Sequence, residues 1–188
     1  ALELLVVFIG VYLAFLFQSH NEEKKIKAER EKVLVSLKKE VEQFRISFPL
    51  FAGGQQTNLK NWKEALRKGK VTAYSGWRFL EPQYNFQVIE YAINLEGTET
   101  IDFEIYRLLL ELYRQIKQLE HAERIMTEMS REYVVIPDDL SEQSDSYKIL
   151  RAQSLFQFRK FIDFGIDRLS NLHEVTKIAE DVVDAINE

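Results

Sequence analysis

The chain has no cysteine, which excludes disulfides, thiolate metal sites and a cysteine nucleophile, and fits either side of a membrane. Internal repeats and low-complexity tracts are also missing. Its net charge is −5 and no basic stripe is interleaved with aromatics, so nucleic acid is not an expected partner. Neither glycine nor proline occurs from Asn21 to Phe48, so nothing there stops a helix. The most telling absence is of charge. Between Leu4 and Phe17 no residue is charged, in a chain that is 29% charged overall.

That run sets the first expectation, a single transmembrane helix over residues 1–18. Residues 1–17 as a helix measure about 25 Å, a little less than a hydrocarbon core of about 30 Å. The chain does not begin with Met, so the span is expected to be truncated at its start. It lacks the basic leader and small-residue cleavage site of a signal peptide. It is apolar on every face, whereas a core helix usually keeps a polar stripe. Lys24, Lys25, Lys27, Arg30 and Lys32 follow closely. The positive-inside rule compares two flanks and only one is visible, so charge alone leaves the orientation open.

The remainder reads as helical. Ile26, Val33, Leu37, Val41, Phe44 and Phe48 recur at steps of seven, four, four, three and four, one stripe on a helix that continues the span. Residues 19–48 are therefore expected to form a connecting amphipathic helix. Its stripe would pack on the later helices near Phe44 and Phe48 and on a second copy nearer the membrane. Residues 49–188 are expected to form a helical bundle domain. Pro49, Gly53 and Gly54 predict a turn, and Thr57 or Asn58 would cap a short helix through Trp62. Val71 to Tyr74 has no strand partner and is read as irregular. Phe86 to Leu95 predicts a short helix ended by Gly97. Asp102 would cap a long helix to about Tyr133, with a stripe of Ile105, Leu109, Leu112, Ile116, Leu119, Met126 and Met129. The last helix carries Leu155, Phe158, Ile162, Gly165, Leu169, Leu172, Thr176, Ala179, Val183 and Ile186 at heptad-like spacing, and Gly165 would permit close helix approach. The fold class is all-α.

Motifs that would carry chemistry are not found. His20, His121 and His173 lie on separate elements. The Glu-x-x-His spacing of dimetal bundles fails because Gln118 and Ser170 stand three residues before the latter two. Asp138, Asp139, Glu142 and Asp145 lack calcium-loop spacing and its central Gly. No nucleophile elbow or phosphate loop is present. No catalytic residue, metal site or cofactor is expected.

Glu3 is the exception that asks for a role. Counted from an interface at Gln18, it lies about 22 Å into the core, where a carboxylate costs several kcal/mol unless protonated, paired or within reach of headgroups. It could snorkel or pair with a neighbouring helix. It could also handle protons or ions against a partner's helices, with Gly10 near the same face allowing close approach.

The string Glu3-Leu4-Leu5-Val6-Val7-Phe8-Ile9-Gly10-Val11-Tyr12-Leu13-Ala14, followed by Gln18 and Asn21-Glu22, resembles a large family of bacterial single-pass membrane proteins of unknown function. Tyr91, Gly97, Ile101, Leu109, Leu112 and Tyr113 are similar to that family's short helix, Gly turn and long helix. His20 stands where the family usually has Trp. The resemblance implies a basic cytoplasmic flank upstream, hence an inner-membrane protein with a periplasmic helical domain. It carries over no catalytic residue.

The leading expectation is a membrane-anchored structural or interaction protein: a homo-oligomer, or an accessory subunit beside a multi-span partner in a larger inner-membrane assembly, in contact with lipid. A stator-like subunit using Glu3 is the first alternative. A sensor signalling through the connecting helix is the second. An enzyme comes last.

Overall fold

The computed structural model describes residues 2–72, 74, 84, 86–94 and 101–188, with side chains at all of these except 2–11 and 14. Among the described residues the chain forms four helices and no strand: α1 (Leu2–Arg67), α2 (Gln87–Asn94), α3 (Phe103–Arg131) and α4 (Asp145–Asn187). The all-α class is the observed one. Among the described residues no helix is long and apolar enough to cross a membrane. Most of the expected span lies outside the residues whose side chains are described.

The first correction concerns α1. Its 66 residues run about 100 Å without a break, so the turn expected at Pro49, Gly53 and Gly54 does not form. The division expected between residues 48 and 49 falls inside one helix. Pro49 removes a backbone bond and crowds the preceding turn, at a cost of about 3 kcal/mol. Against that, Phe48, Ala52, Leu59 and Trp62 keep one buried stripe going through the proline. Each large member of the stripe contributes roughly 1.5–3 kcal/mol by burial, so continuation wins. Thr57 is not a cap. Its hydroxyl donates to the Gly53 carbonyl one turn back (3.0 Å).

The helix ends at Gly69 instead. That residue takes the left-handed conformation (φ 66°), while Lys70 N–H donates to Ala65 O and Gly69 N–H to Leu66 O, both at 2.9 Å. This double closure satisfies the last carbonyls and suits a residue without Cβ. Ser144 starts α4 by accepting the Tyr147 N–H at 3.1 Å. Asp102 precedes α3 as expected but makes no side-chain cap bond. Its carboxylate pairs with Arg30 of α1 instead. Gly97, expected to end α2, lies outside the described residues.

Two core clusters set the topology. One joins Val33–Ala52 of α1, Ile105–Leu119 of α3 and Leu172–Val183 of α4. The other joins Leu59 and Trp62, Met126, and Phe158–Ile162, with Tyr74. α1 and α3 therefore run the same way and α4 runs against both. α4 packs on α1 and on α3, while α1 and α3 make no backbone approach to each other. α2 touches both α1 and α3, closing the ring on the side that α4 leaves open.

Lying in a notch between two helices, α4 buries a wider face than one heptad stripe. Ser154, Phe161, Arg168, Val175 and Val182 are buried, beside the Phe158, Ile162, Gly165, Leu172, Ala179 and Val183 that periodicity predicts. Leu155, Leu169, Thr176 and Ile186 sit at its half-exposed edge.

Candidate functional site

The residues singled out by sequence do not converge. Glu3 and Gly10 belong to the first turns of α1, and their side chains lie outside the described residues. Phe44, with Phe48, is buried in the chain's own core as expected for that end of the stripe, and Val33, Leu37 and Val41 are buried there too, so none of these is free to meet a second copy. Ile26, 40% exposed, is the member left over. His20, His121 and His173 are all exposed, and His121 Nδ1 faces Arg124 Nη2 at 2.9 Å. Among the described residues no three His, Asp or Glu side chains gather as a metal site would require.

The structure instead assembles a polar layer between the two apolar clusters. α1 contributes Gln55, α3 Glu123 and α4 Arg168, which are 1%, 5% and 4% exposed. Each occupies a stripe position of its helix: Ala52-Gln55-Leu59, Leu119-Glu123-Met126 and Gly165-Arg168-Leu172. Steps of three and four turn all three inward at one level.

Arg168 Nε donates to Glu123 Oε1 at 2.8 Å, and its Nη1 donates to Gln55 Oε1 at 3.0 Å. Gln55 Nε2 then donates to the Gly165 carbonyl at 3.0 Å. A Cβ on Gly165 would fall 2.8 Å from Gln55 Nε2 and 3.1 Å from Leu59 Cδ2, so that glycine does allow close approach, as its stripe position suggests. From outside the bundle, Tyr84 OH donates to Glu123 Oε2 at 2.9 Å. Burial first, and then the Glu123 carboxylate beside it, hold the Tyr84 phenol neutral far above its ordinary range.

Removing two charges from water is costly, and mutual attraction repays it only where the remaining polar atoms are bonded. That condition is met here, and the directional bonds tie α1, α3 and α4 into one register. Chemically the layer is occupied with itself. Its donors and acceptors face each other, and fixing alignment is the job it can do.

A second buried carboxyl is treated differently. Glu40 of α1 is 8% exposed, and its Oε1 has no hydrogen-bond partner among the described residues. Burial pushes its carboxyl up to about 7, opposed only by the Ile89 backbone N–H in the first turn of α2. Tyr74 OH is likewise buried without a hydrogen-bond partner among the described residues. Its ring stacks on Phe158 and Phe161, and burial raises the phenol to about 12.

Sequence reasoning missed both carboxyls. The signal for the first was present: the α3 stripe jumps from Leu119 to Met126, and the skipped position holds Glu123. Arg168 likewise has Phe161 and Val175 seven residues to either side. Glu40 left no such mark, because a charged residue beside Lys38 and Lys39 reads as a solvated face. No protein-family model, no curated protein and no solved structure matches the chain.

Proposed function

We propose that the chain is a membrane-anchored helical module with a structural or interaction role, as a homo-oligomer or as an accessory subunit of a larger inner-membrane assembly. The observation that carries this reading is the projection of α1 beyond the bundle. From Phe15 to Glu29 every side chain is exposed. Tyr12, Leu13, Phe15, Leu16 and Phe17 are 46–69% exposed, and nearly consecutive positions cover all faces of a helix. An apolar patch of that kind seeks a cover of similar polarity, and a bilayer covers every face at once. Between Gln18 and Lys32 only Ile26 and Ala28 are apolar. That stretch suits a water-exposed spacer of about 20 Å holding the bundle off the surface.

A role in assembly rather than turnover is supported by the polar layer, whose charged groups bond to each other. The likeness of the first residues to the bacterial single-pass family supports a periplasmic bundle. The test is expression of the full chain in bacteria, followed by alkaline extraction of membranes and protease treatment of spheroplasts. Retention in the membrane with a bundle cleaved from outside is the expected result. Recovery of the full chain in the soluble fraction overturns the anchor, and protection in spheroplasts with cleavage only after lysis reverses the orientation. Purification in mild detergent then separates a self-assembled species from one carrying a multi-span partner. A monomer that retains nothing overturns the assembly role.

A further inference from the structure

α2 is an eight-residue helix set beside α1 and α3, two helices whose backbones make no close approach to each other. It buries Ile89 and Ala92 in the apolar cluster that also holds Leu37, Val41 and Phe44 of α1 and Leu109 of α3. Its polar ties include Tyr113 of α3, which donates to Glu90 at 2.9 Å, and Tyr91, which donates to Glu29 of α1 at 3.2 Å. A helix this short has no stability of its own and is held by its seat.

The seat contains one misfit, the Glu40 carboxyl. It lies on the α1 stripe between Leu37 and Phe44 and beside the Ile89 amide, nine-tenths buried with one oxygen unbonded. We propose that Glu40 makes α2 a pH-released plug: seated over the α1–α3 groove while the carboxyl is protonated, and lifted from it as the carboxyl ionises and takes up water.

Among the described residues, the charges around α2 do not neutralise Glu40. Glu29 of α1 accepts from Tyr91 and Glu90 of α2 accepts from Tyr113. Lys117 of α3 bonds Glu120 and lies over the Phe86 ring. α4 makes no backbone approach to α2 among the described residues. A buried carboxylate lacking a cation is costly and gains by exposure. Burial pushes the Glu40 carboxyl up to about 7 in its seat against an ordinary value of 4.5, which release would restore. That linkage makes release about tenfold more favourable at pH 8 than at pH 6. Release does not depend on how the first residues of α1 are anchored.

The test is amide hydrogen exchange on the full chain between pH 6 and pH 8, read as protection factors so that the intrinsic pH dependence cancels. Val88–Asn94 are compared with Leu172–Val182 of α4. The expected result is about tenfold loss of protection in α2 with α4 unchanged, and a flat profile for α2 in Glu40→Gln. Constant protection of α2 in the wild type overturns the proposal. So does parallel loss in α4, which is global loosening, or the same slope in a folded Glu40→Gln. Should that variant not fold, carbon-13 titration of the wild-type Glu40 carboxyl decides. A midpoint near 7 that coincides with the α2 transition upholds release, and one in the ordinary carboxylate range overturns it.

Discussion

Two buried carboxyls on neighbouring surfaces of one bundle have opposite surroundings. Glu123 meets Arg168, Tyr84 and, through Arg168, Gln55. Glu40 meets the Ile89 amide, and its other oxygen has no hydrogen-bond partner among the described residues. Burial depth is similar, at 5% and 8% exposed, so depth does not separate them; the presence of a cation does. A paired carboxylate holds three long helices in register. An unpaired one makes the short helix above it sensitive to pH. The same residue type stiffens one seam and loosens the other.

The comparison breaks most severely at Arg168. Arg168→Ala leaves Glu123 charged and buried without its cation, and is expected to cost about 3–5 kcal/mol in urea unfolding. The double variant Glu123→Leu/Arg168→Met should recover most of that loss, because an apolar layer has no charge to desolvate. Equal losses in the single and double variants would show that packing, not charge, governs the layer. Gly165→Ala tests the same layer through shape. With 2.8 Å to Gln55 Nε2, the added methyl should cost about 2 kcal/mol by overpacking, and an unchanged urea midpoint would refute the tight fit.

Glu40→Gln works in the other direction. The folded carboxyl lies at about 7 against 4.5 for the ordinary group, so between these values the folded state holds more protons than the unfolded one. Stability therefore falls as pH rises through that window, and the full cost is present above it. Thermal unfolding should find Glu40→Gln more stable than wild type by about 3 kcal/mol at pH 8, with the gain gone at pH 4. A gain independent of pH would remove titration as the cause. Tyr84→Phe has the smallest expected effect. It deletes one donor from a carboxylate that keeps its cation, a loss of about 1 kcal/mol in urea unfolding. A loss as large as that of Arg168→Ala would make Tyr84 rather than the arginine the main partner.

Much of the fold is legible in the chain, for a local reason. The α3 stripe from Ile105 to Met126 and six of the ten α4 stripe positions are buried where periodicity puts them, because a helix's inward face repeats every 3.6 residues whatever it packs against. The errors lie where a local signal met a longer-range gain. Pro49, Gly53 and Gly54 look like a turn because each disfavours helix locally. α1 ignores them because Phe48, Leu59 and Trp62 bury on both sides of the proline. Asp102 carries a cap residue's identity, yet its carboxylate goes to Arg30, 72 positions away in sequence. Ile26 and Val33 read as one stripe, but Val33 enters the bundle and Ile26 remains outside it.

The sequence alone determined that this chain is helical, that its first residues form an apolar run unlike the rest, and that its later helices each carry a buried face. Those are properties of neighbours a few residues apart. Only the tertiary structure decided which helices share a face, that α4 fills the notch between α1 and α3 while α2 closes the other side, and which charges pair in the interior. Gln55 and Arg168 stand 113 residues apart. A charge among lysines and a charge inside the core are identical in sequence, and differ only in whether folding brings them a partner or removes their water.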